Sequence, residues 1–512
     1  MSFGNLLRAG GEFSPSAVLV TIISILLALF LIRELRSWWR LKHIPGPFWN
    51  GFSSLPFFAL LLRDDTCFVQ VELQKKYGPL MRIGPRAVMF GDAGTMKKLS
   101  AARSPFVKGE WYALSKFSDE DHVFSIMDDE GHRAQKAKLT AGYTGRDGID
   151  LEPKVDEMVV ELTDLIDRSY LSTSTSFRPL EFGTAAIYFT LDVISTAGWS
   201  EAFGFLRNDR DMYDYIAIND KTIPATMCVA AFPWVAHLVG KWPLSMLLPR
   251  EGDEAGFGRL MGFTRAVIAK RLADEKHGEE KVDMLQAHLR NGVPARQLQD
   301  ELILKIVAGA DTAATAIRMT LACLLTTPAA LATLRKEIDD GIATGRISSP
   351  IRSAEAAKLP YLQAVILEGL RLFPPSVATF DKQVSKGGTH LHGYFLPEGT
   401  QVKVNTLFMT RDEAVFGPDA GVLNPDRWID AGPERYAEMS AVADLVWGYG
   451  KFLCLGKSVA LMELNKVFVE LLRRYDFAIV TPHKPLVLRE HSLWLVNDFH
   501  LRVTKRAVRG GI

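Results

Sequence analysis

Cysteine is scarce in this sequence. Its 512 residues include only Cys67, Cys228, Cys323 and Cys454, and no two of them form a C-x-x-C pair. This spacing argues against a disulfide framework and against a zinc ribbon, because both are built from clustered cysteines. A lone cysteine is usually a small buried hydrophobic residue. A ligand role for any of the four therefore has to rest on its neighbours.

The sequence also lacks an excess of charge of either sign. It has 60 lysines and arginines against 59 acidic residues, 23% charged residues and 48% hydrophobic residues. Proteins that bind nucleic acid usually carry a clustered basic excess, so we expect no nucleic-acid partner. The balance is typical of a globular enzyme with a large core.

One uncharged run stands near the amino terminus, at residues 16–32. As a helix rising about 1.5 Å per residue it would span roughly 25 Å, close to the thin bilayer of the endoplasmic reticulum. Basic residues dominate its carboxyl flank, and the positive-inside rule then places the rest of the chain in the cytosol. The alternative is a cleaved signal peptide, but no small-residue cleavage site follows the run.

These features predict four segments. Residues 1–15 form a lumenal amino terminus, and 16–32 form the transmembrane anchor. Residues 33–47 form a basic linker ending in the hinge Pro45-Gly46-Pro47, and 48–512 form the catalytic domain. A second apolar stretch at 223–248 is interrupted by three prolines, so we interpret it as buried core or as a surface that dips into a membrane.

The body has a mainly helical pattern, with amphipathic stretches at 152–168, 301–325 and 360–372. Strand-like segments are short. The clearest, at 390–404, is punctuated by glycine and proline like a small hairpin. The predicted fold class is therefore mainly α (α+β), with a large helical domain and small β-sheets.

A glycine-rich segment surrounds one cysteine near the carboxyl terminus. Residues 447–456 read Trp-Gly-Tyr-Gly-Lys-Phe-Leu-Cys-Leu-Gly and lead into a helical pattern at 457–472. Backbone N–H groups at a helix start stabilise a thiolate, and glycines such as Gly450 and Gly456 let the backbone approach a flat macrocycle. This segment favours Cys454 as a thiolate ligand.

Two further motifs lie upstream. Glu368 and Arg371 stand three apart on an apolar helix, where the alternative to a buried pair is an ordinary solvated one. A buried pair needs further partners, and Arg427 could supply a second guanidinium. In Ala308-Gly309-Ala310-Asp311-Thr312, the glycine is costly in a helix and the threonine can bond back to the preceding turn. The alternative for Gly309 is simple helix packing.

In their order and spacing, these pieces resemble the cytochrome P450 family over nearly the whole chain, from anchor and hinge to cysteine loop. The chain is most similar to fungal microsomal members of the pisatin-demethylase-like branch, whose cysteine loop reads much like Gly448-Tyr449-Gly450-Lys451 followed by Cys454-Leu455-Gly456-Lys457. The resemblance implies the cytochrome P450 fold preceded by one transmembrane helix, with haem b (iron protoporphyrin IX) as the cofactor.

The resemblance also implies residue roles. Cys454 would be the axial ligand of the haem iron, and Glu368, Arg371 and Arg427 would form a buried structural triad. Thr312 and Asp311 match the oxygen-activating alcohol and acid of the family, and Gly309 would leave room for oxygen. His132 and Lys136, four apart on one helix face, match positions that bind the haem propionates; an exposed basic helix face is the alternative.

Three departures from the family pattern concern haem anchoring. Trp447 stands where phenylalanine is usual, and Phe452 stands where an arginine normally pairs with a propionate. Lys382 stands about where another propionate-binding arginine is usual. Lys451 or Lys382 could compensate for the missing arginine, but lysine lacks the bidentate geometry of arginine, so we expect somewhat looser haem anchoring.

The implied function is a monooxygenase that inserts one oxygen atom from O2 into a lipophilic small molecule. Electrons would come from NADPH through a membrane-bound NADPH-cytochrome reductase, with cytochrome b5 as a further candidate partner, in fungal secondary-metabolite biosynthesis. Substrate contacts are expected from residues 104–124, 223–248, 308–312 and 377–380 and from the turn near Leu493 and Trp494. The alternatives are a haem-thiolate isomerase or dehydratase, and a membrane protein that binds haem without turnover.

Overall fold

The structure is a computed structural model. It describes residues 15–113, 115–145, 148–229, 231–232, 241, 246, 250–253, 256–278, 281–377 and 381–507. Helices make up most of it, and the strands form four small sheets in these residues. The predicted fold class, a large helical domain with small β-sheets, is confirmed.

The bounds of the helices follow the apolar patterns of the sequence closely. The α-helices are α1 Pro15–Leu41, α2 Leu55–Leu61, α3 Thr66–Tyr77, α4 Ala93–Ser100, α5 Glu110–Ala113, α6 Asp129–Thr144, α7 Glu152–Leu165, α8 Phe182–Trp199, α9 Phe205–Asn208, α10 Tyr215–Val229, α11 Gly256–Lys276, α12 Met284–Arg290, α13 Ala295–Leu325, α14 Pro328–Ala343, α15 Ser353–Ala356, α16 Pro360–Leu372, α17 Thr406–Thr410, α18 Glu413–Phe416, α19 Asp426–Ile429, α20 Pro433–Ala443 and α21 Lys457–Arg474.

The strands lie mostly at the two ends of the chain's body. They are β1 Leu80–Gly84, β2 Ala87–Phe90, β3 Phe106–Lys108, β4 Leu180–Glu181, β5 Lys382–Val384, β6 Thr389–Leu391, β7 Tyr394–Leu396, β8 Gln401–Val404, β9 Tyr475–Ile479, β10 Val487–Glu490, β11 Trp494–Asn497 and β12 His500–Lys505. One sheet has the order β1-β2-β8-β5-β3, another has the order β4-β12-β9, and β6-β7 and β10-β11 are two-stranded.

The hairpin predicted at 390–404 is present but shorter. Strands β6 and β7 pair antiparallel around His392 and Gly393, both of which have positive φ, 49° and 80°. Strand β8 does not extend this hairpin, because it pairs in parallel with β2 in the five-stranded sheet. The turn residues predicted the hairpin. Strand β8 pairs instead with β5 and with β2, and the pairing with β2, about 300 residues earlier in the chain, leaves no local signal.

Helix α13 runs through the core. It has 31 residues, and most of its side chains are buried, as expected for a helix surrounded by other elements, although Ala295, Arg296 and Ala308 are exposed. It packs most extensively against α8 and also contacts α16 and α21. Helix α13, which carries Asp311 and Thr312, thus lies against α16, which carries Glu368 and Arg371, and against α21, which follows the cysteine loop.

Helix α1 is long and apolar enough to cross a membrane, and the large apolar side chains described between Val18 and Leu35 are exposed. It continues to Leu41, so the first part of the linker predicted at 33–47 is helical. The buried guanidinium of Arg82 holds this end, donating to the carbonyl oxygens of Ser37 and Trp38 at 3.2 Å and of Gly51 at 2.9 Å. Residues 1–14 lie outside the described residues.

Candidate active site

The cysteine loop is a tight turn that ends at a helix start. The backbone N–H of Cys454 donates to the carbonyl of Trp447 at 2.8 Å. Gly448 has φ +80°, and a Cβ there would collide with the carbonyl of Phe452, so the turn needs glycine. Helix α21 begins directly after Gly456. The sequence thus places the thiol at the amino end of a helix.

The surroundings of the Cys454 thiol act on its pKa in two directions. Solvent reaches the side chain, but protein atoms surround it on most sides, and this burial raises its pKa. The backbone N–H groups of Gly456 and Lys457 and the ammonium of Lys136 lower it, since each stabilises the thiolate. These groups are the stabilisation that a thiolate ligand requires.

Helix α6 is bound to the cysteine loop by Lys136. Its ammonium donates to the carbonyl oxygens of Lys451 at 3.0 Å and Leu453 at 2.6 Å. One turn earlier, the buried ring of His132 lies 5.8 Å from the ring of Phe452. Burial, with a smaller effect of nearby lysines, lowers the pKa of His132 to about 4. His132 is therefore neutral at pH 7.

Lys382 is buried beside the same loop. Its ammonium donates to the hydroxyl of Tyr112 at 2.7 Å and lies 3.4 Å from the centroid of the Phe452 ring. Burial lowers its pKa well below the usual value. In the part of the chain that the structure describes, no carboxylate lies within ion-pair distance of this ammonium. Lys451 differs, because it is paired with Asp129 at 2.6 Å.

Two buried neighbours of Lys382 lie in the segment 104–124, which the sequence analysis gave only as a whole and only for substrate contacts. Lys108 donates to the carbonyl oxygens of residues 123, 124 and 126 at 3.1, 2.8 and 2.8 Å, and burial lowers its pKa to about 8. Tyr112 is buried between Lys108 and Lys382, with each ammonium near its ring. Neither residue stands in a recognisable motif, and the hydrogen-bond partner of Tyr112 is 270 residues away in sequence.

Helix α13 carries Thr312 and Asp311, the predicted alcohol and acid. The Thr312 hydroxyl donates to the carbonyl of Ala308 at 2.7 Å, as a mid-helix threonine does. Ala308 is exposed although the helix is buried on either side of it, so this face borders open space. Asp311 is buried and points elsewhere, since its Oδ2 accepts from Tyr215 and Asn219, both at 2.9 Å.

Gly309 serves the packing of two helices. A Cβ at this position would approach the side chain of Ile194 on α8 to 3.2 Å. This is the packing role weighed above as the alternative, and it accounts for the glycine without a ligand. A role beside bound oxygen stays a prediction.

Glu368, Arg371 and Arg427 form one buried cluster. Arg371 donates to both carboxylate oxygens of Glu368, at 2.9 and 2.6 Å, and Arg427 donates to Oε1 at 2.9 Å. The indole N–H of Trp428 and the backbone N–H of Asn424 complete the shell around the carboxylate, at 2.9 and 3.0 Å. The side chains of Glu368 and Arg371 are 0% exposed, so the solvated-pair alternative does not hold.

An apolar cluster joins three of the segments from which substrate contacts were expected. It consists of Trp111, Tyr112, Ile223, Met227 and Leu495, with Phe124, Met127 and Leu493 packed against them. Trp494 is turned to the other face of its strand and buried in the main core, where its N–H donates to the carbonyl of Pro374 at 2.8 Å. Most of residues 230–248, and all of 378–380, lie outside the described residues.

These side chains fit a haem group. Cys454 offers a thiolate stabilised by N–H groups and by Lys136, which suits an iron ligand. Haem also carries two anionic propionates. A propionate beside Lys382 would favour its charged form and so oppose the burial that lowers its pKa, and the Tyr112 hydroxyl and the Phe452 ring lie beside the same nitrogen. His132 would not supply a positive charge to a propionate, because its lowered pKa keeps the ring neutral at pH 7. It would act as a neutral hydrogen-bond donor.

Comparison with known proteins agrees with this chemistry. The family model described as Cytochrome P450 matches residues 45–498. The chain is 39% identical over 503 residues to the cytochrome P450 monooxygenase ABA1 of Pyricularia oryzae, covering 96% of this chain and 97% of that protein. It is 36% identical to the cytochrome P450 monooxygenase aba1 of Botryotinia fuckeliana, with 91% and 92% covered, and 32% identical to abl1 of Leptosphaeria maculans, with 95% and 87% covered.

The resemblance inferred from the motifs is thus confirmed, and so is the similarity to fungal members. The matches extend over nearly the whole length of the relatives as well as of the chain. The family implies a haem-iron cofactor, a redox partner, an organic substrate and O2. The chain belongs to the cytochrome P450 family and is a monooxygenase of that family.

Proposed function

We propose that Cys454, as a thiolate, is the axial ligand of haem b, and that cationic and neutral donors hold its propionates. Lys382 and Lys136 are the proposed charge partners, with Lys451 and His132 beside them and Gly450 and Gly456 giving the backbone its close approach. The single observation that carries this is the Cys454 thiol at the start of α21, with the N–H groups of Gly456 and Lys457 stabilising its thiolate.

When bound through a thiolate, haem activates O2 and favours cleavage of its O–O bond. The residues of this chain would hold and move the protons that this chemistry consumes. The Thr312 hydroxyl now donates to Ala308 and can turn to donate into the open space beside it. Asp311, buried one residue earlier, is the proposed proton carrier. Glu368, Arg371 and Arg427 have no proposed part beyond support.

The proposed substrate is a lipophilic small molecule. The apolar cluster of Trp111, Ile223, Met227 and Leu495 offers contact area without formal charge. Tyr112 links this cluster to the cysteine loop, because it also bonds Lys382, whose ammonium stacks on Phe452. The fungal relatives support a role in fungal secondary-metabolite biosynthesis.

The proposed partners follow from helix α1 and from the family. We expect an NADPH-cytochrome reductase to deliver electrons, with cytochrome b5 as a further donor. The apolar helix could anchor the protein in a membrane, and its basic carboxyl flank supports a single pass with a cytosolic catalytic domain, in the endoplasmic reticulum. The near-neutral charge supports the absence of a nucleic-acid partner.

The two alternatives have less support. An isomerase or dehydratase would not need Thr312 and Asp311, and a haem-binding protein without turnover would not need the apolar cluster. The relatives are also named as monooxygenases.

Isotope labelling tests the proposed reaction. Full-length protein is reconstituted with reductase, NADPH and a panel of lipophilic compounds under ¹⁸O2. We expect a product that carries one labelled oxygen atom and forms only when NADPH is present. Met227→Lys should abolish turnover of that compound, while Ile342→Lys, at an exposed position outside the expected substrate segments, should leave it intact. A product that forms without NADPH and O2 would support the isomerase instead.

A further inference from the structure

Two neutral side chains of helix α10 donate hydrogen bonds to Asp311 of α13. Tyr215 and Asn219 stand four apart on one face of α10, and each donates to Oδ2 of Asp311 at 2.9 Å. Asp311 is 4% and Tyr215 7% exposed, so water competes little for these bonds. Nothing in the sequence predicted the contact, because the partners are more than 90 residues apart.

Hydrogen bonds from neighbouring segments fix the first turns of α10. The carboxylate of Asp211 accepts the backbone N–H of Ile216 and Ala217, at 3.1 and 3.2 Å to Oδ2. Asp220 accepts from Arg489 at 3.1 Å and from Asn497 at 3.0 Å, both on the β10-β11 hairpin. The first turns of α10 are therefore fixed from two sides, and Asp311 is held by an anchored element.

The chemistry of the two donors suits a group that changes its protonation state. Toward a carboxylate, a phenol O–H and an amide N–H both donate. Toward a protonated carboxyl, the phenol oxygen can accept, and the Asn219 amide can turn to present its carbonyl oxygen. A lysine or arginine could serve only the carboxylate, since it has no acceptor.

We propose that Tyr215 and Asn219 are positioning residues that hold the Asp311 carboxyl in one orientation and satisfy it both with and without its proton. The proposal rests on the role assigned to Asp311 in proton delivery. It gives α10, which also carries Ile223 and Met227 of the apolar cluster, a direct connection to the acid.

The charges around Asp311 agree with this arrangement. Burial raises the pKa of Asp311, and the negative charge of Asp220 acts in the same direction; Arg318 and the two donors lower it. Arg318 lies about two turns further along the same face of α13 and bonds Thr315 and the carbonyl of Trp494 instead, at 2.9 and 3.4 Å. In the described residues no cation bonds the Asp311 carboxylate directly, so the two neutral donors are its immediate partners.

The pair Tyr215 and Asn219, called the clamp below, is tested by infrared titration of the haem-loaded, full-length protein. The carboxylic-acid band of Asp311 is identified as the one missing from Asp311→Asn. In Tyr215→Phe and Asn219→Leu both protonation states lose a partner, but the bond to the charged carboxylate is the stronger of the two. The midpoint of the band should therefore move to higher pH, by about one unit. Tyr213→Phe is the matched control and should leave it unchanged, since this phenol packs on Phe263.

A second measurement separates the clamp from the role of Asp311. Peroxide released per NADPH consumed is compared in reductase-reconstituted protein with 7-ethoxycoumarin as the lipophilic probe. Tyr215→Phe should raise the peroxide share, and in the Asp311→Asn background it should add nothing, because it acts through Asp311. An infrared midpoint that stays fixed in both clamp variants overturns the proposal. A shifted midpoint with an unchanged peroxide share in Asp311→Asn keeps the clamp and rejects the proton-delivery role.

Discussion

The ammonium nitrogen of Lys382 lies 3.4 Å from the centroid of the Phe452 ring. The family resemblance implies an arginine at both positions, and at these positions the chain has a lysine whose side-chain nitrogen rests on an aromatic face. A cation is attracted to the face of an aromatic ring. A basic nitrogen thus lies beside the cysteine loop in addition to those of Lys136 and Lys451.

Lys382→Met should weaken haem retention. The substitution keeps the length of the side chain and removes the charge proposed to pair with a propionate, and losing a charge-assisted hydrogen bond costs about 1.5–3 kcal/mol. We expect haem transfer to apomyoglobin to accelerate roughly tenfold or more. Lys386→Met, at an exposed position on the same segment, should leave the transfer rate unchanged. Equal rates in the two variants would remove Lys382 from the cofactor site.

Cys454→Ser should abolish the strongly red-shifted Soret band that reduced, carbon monoxide-treated protein shows when its haem has a thiolate ligand. A serine hydroxyl is not deprotonated by the N–H groups that lower the pKa of the Cys454 thiol. The other cysteines provide three controls, and Cys67→Ser, Cys228→Ser and Cys323→Ser should each retain the band. Persistence of the band in Cys454→Ser would reject the ligand assignment.

Truncating the buried Glu368 cluster should destabilise the protein. Glu368→Ala leaves Arg371 and Arg427 without their shared carboxylate, and an uncompensated buried charge typically costs about 3–5 kcal/mol. We expect little haem-loaded protein from this variant. Lys336 and Asp340 form an exposed helix pair at 2.5 Å, so Lys336→Ala should cost well under about 1 kcal/mol. Normal haem content in Glu368→Ala would contradict a supporting role for the cluster.

The site residues that the sequence predicted stand in short motifs, so that neighbouring residues are enough to identify them. Cys454, Glu368 with Arg371, and Asp311 with Thr312 each stand in a short motif, and the helices that carry them have continuous apolar patterns. Helix α16 begins and ends where the pattern placed it, at Pro360 and Leu372. A turn or a helix face is set by neighbouring residues, and these can be read from one segment.

The residues that sequence analysis missed owe their positions to tertiary contacts. Tyr215 and Asn219 meet Asp311 only because α10 crosses α13, and Tyr112 meets Lys382 only because β3 pairs with β5. For Gly309, room for oxygen stays a prediction, and the approach of 3.2 Å to Ile194 on α8 supports the packing alternative, which is likewise a contact between distant segments. Pairings between distant segments depend on packing that one segment does not specify.

Glu463→Gln should stabilise the protein above about pH 5. The carboxyl of Glu463 is buried in α21, its Oε2 has no hydrogen-bond partner among the described residues, and burial raises its pKa well above the usual 4.5. As the pH rises through 4.5 the unfolded chain ionises while the folded chain stays neutral, so the native state loses stability. Glutamine cannot ionise and escapes this loss.

Thermal unfolding of the holoprotein between pH 4 and pH 8 checks this. The Tm difference between Glu463→Gln and the parent protein should be small near pH 4 and grow toward pH 8, whereas Glu398→Gln, on the surface, should show no such trend. A constant difference across the range would mean that Glu463 does not titrate differently in the folded chain.

Thr312→Ala should uncouple electron supply from product formation. The substitution removes the hydroxyl that borders the open face of α13 but leaves Cys454 and the apolar cluster in place, so reduction and binding of a lipophilic compound should persist. Ordered proton delivery should fail, since the candidate donor is gone. We expect NADPH consumption to continue while organic product falls and peroxide rises, measured with the compound found in the labelling screen.

Thr312→Ser retains a hydroxyl at the same place and should recover most of the coupling. If Thr312→Ala and Thr312→Ser both convert the compound with unchanged yield per NADPH, the hydroxyl has no part in proton delivery, and Asp311 would have to act through another group.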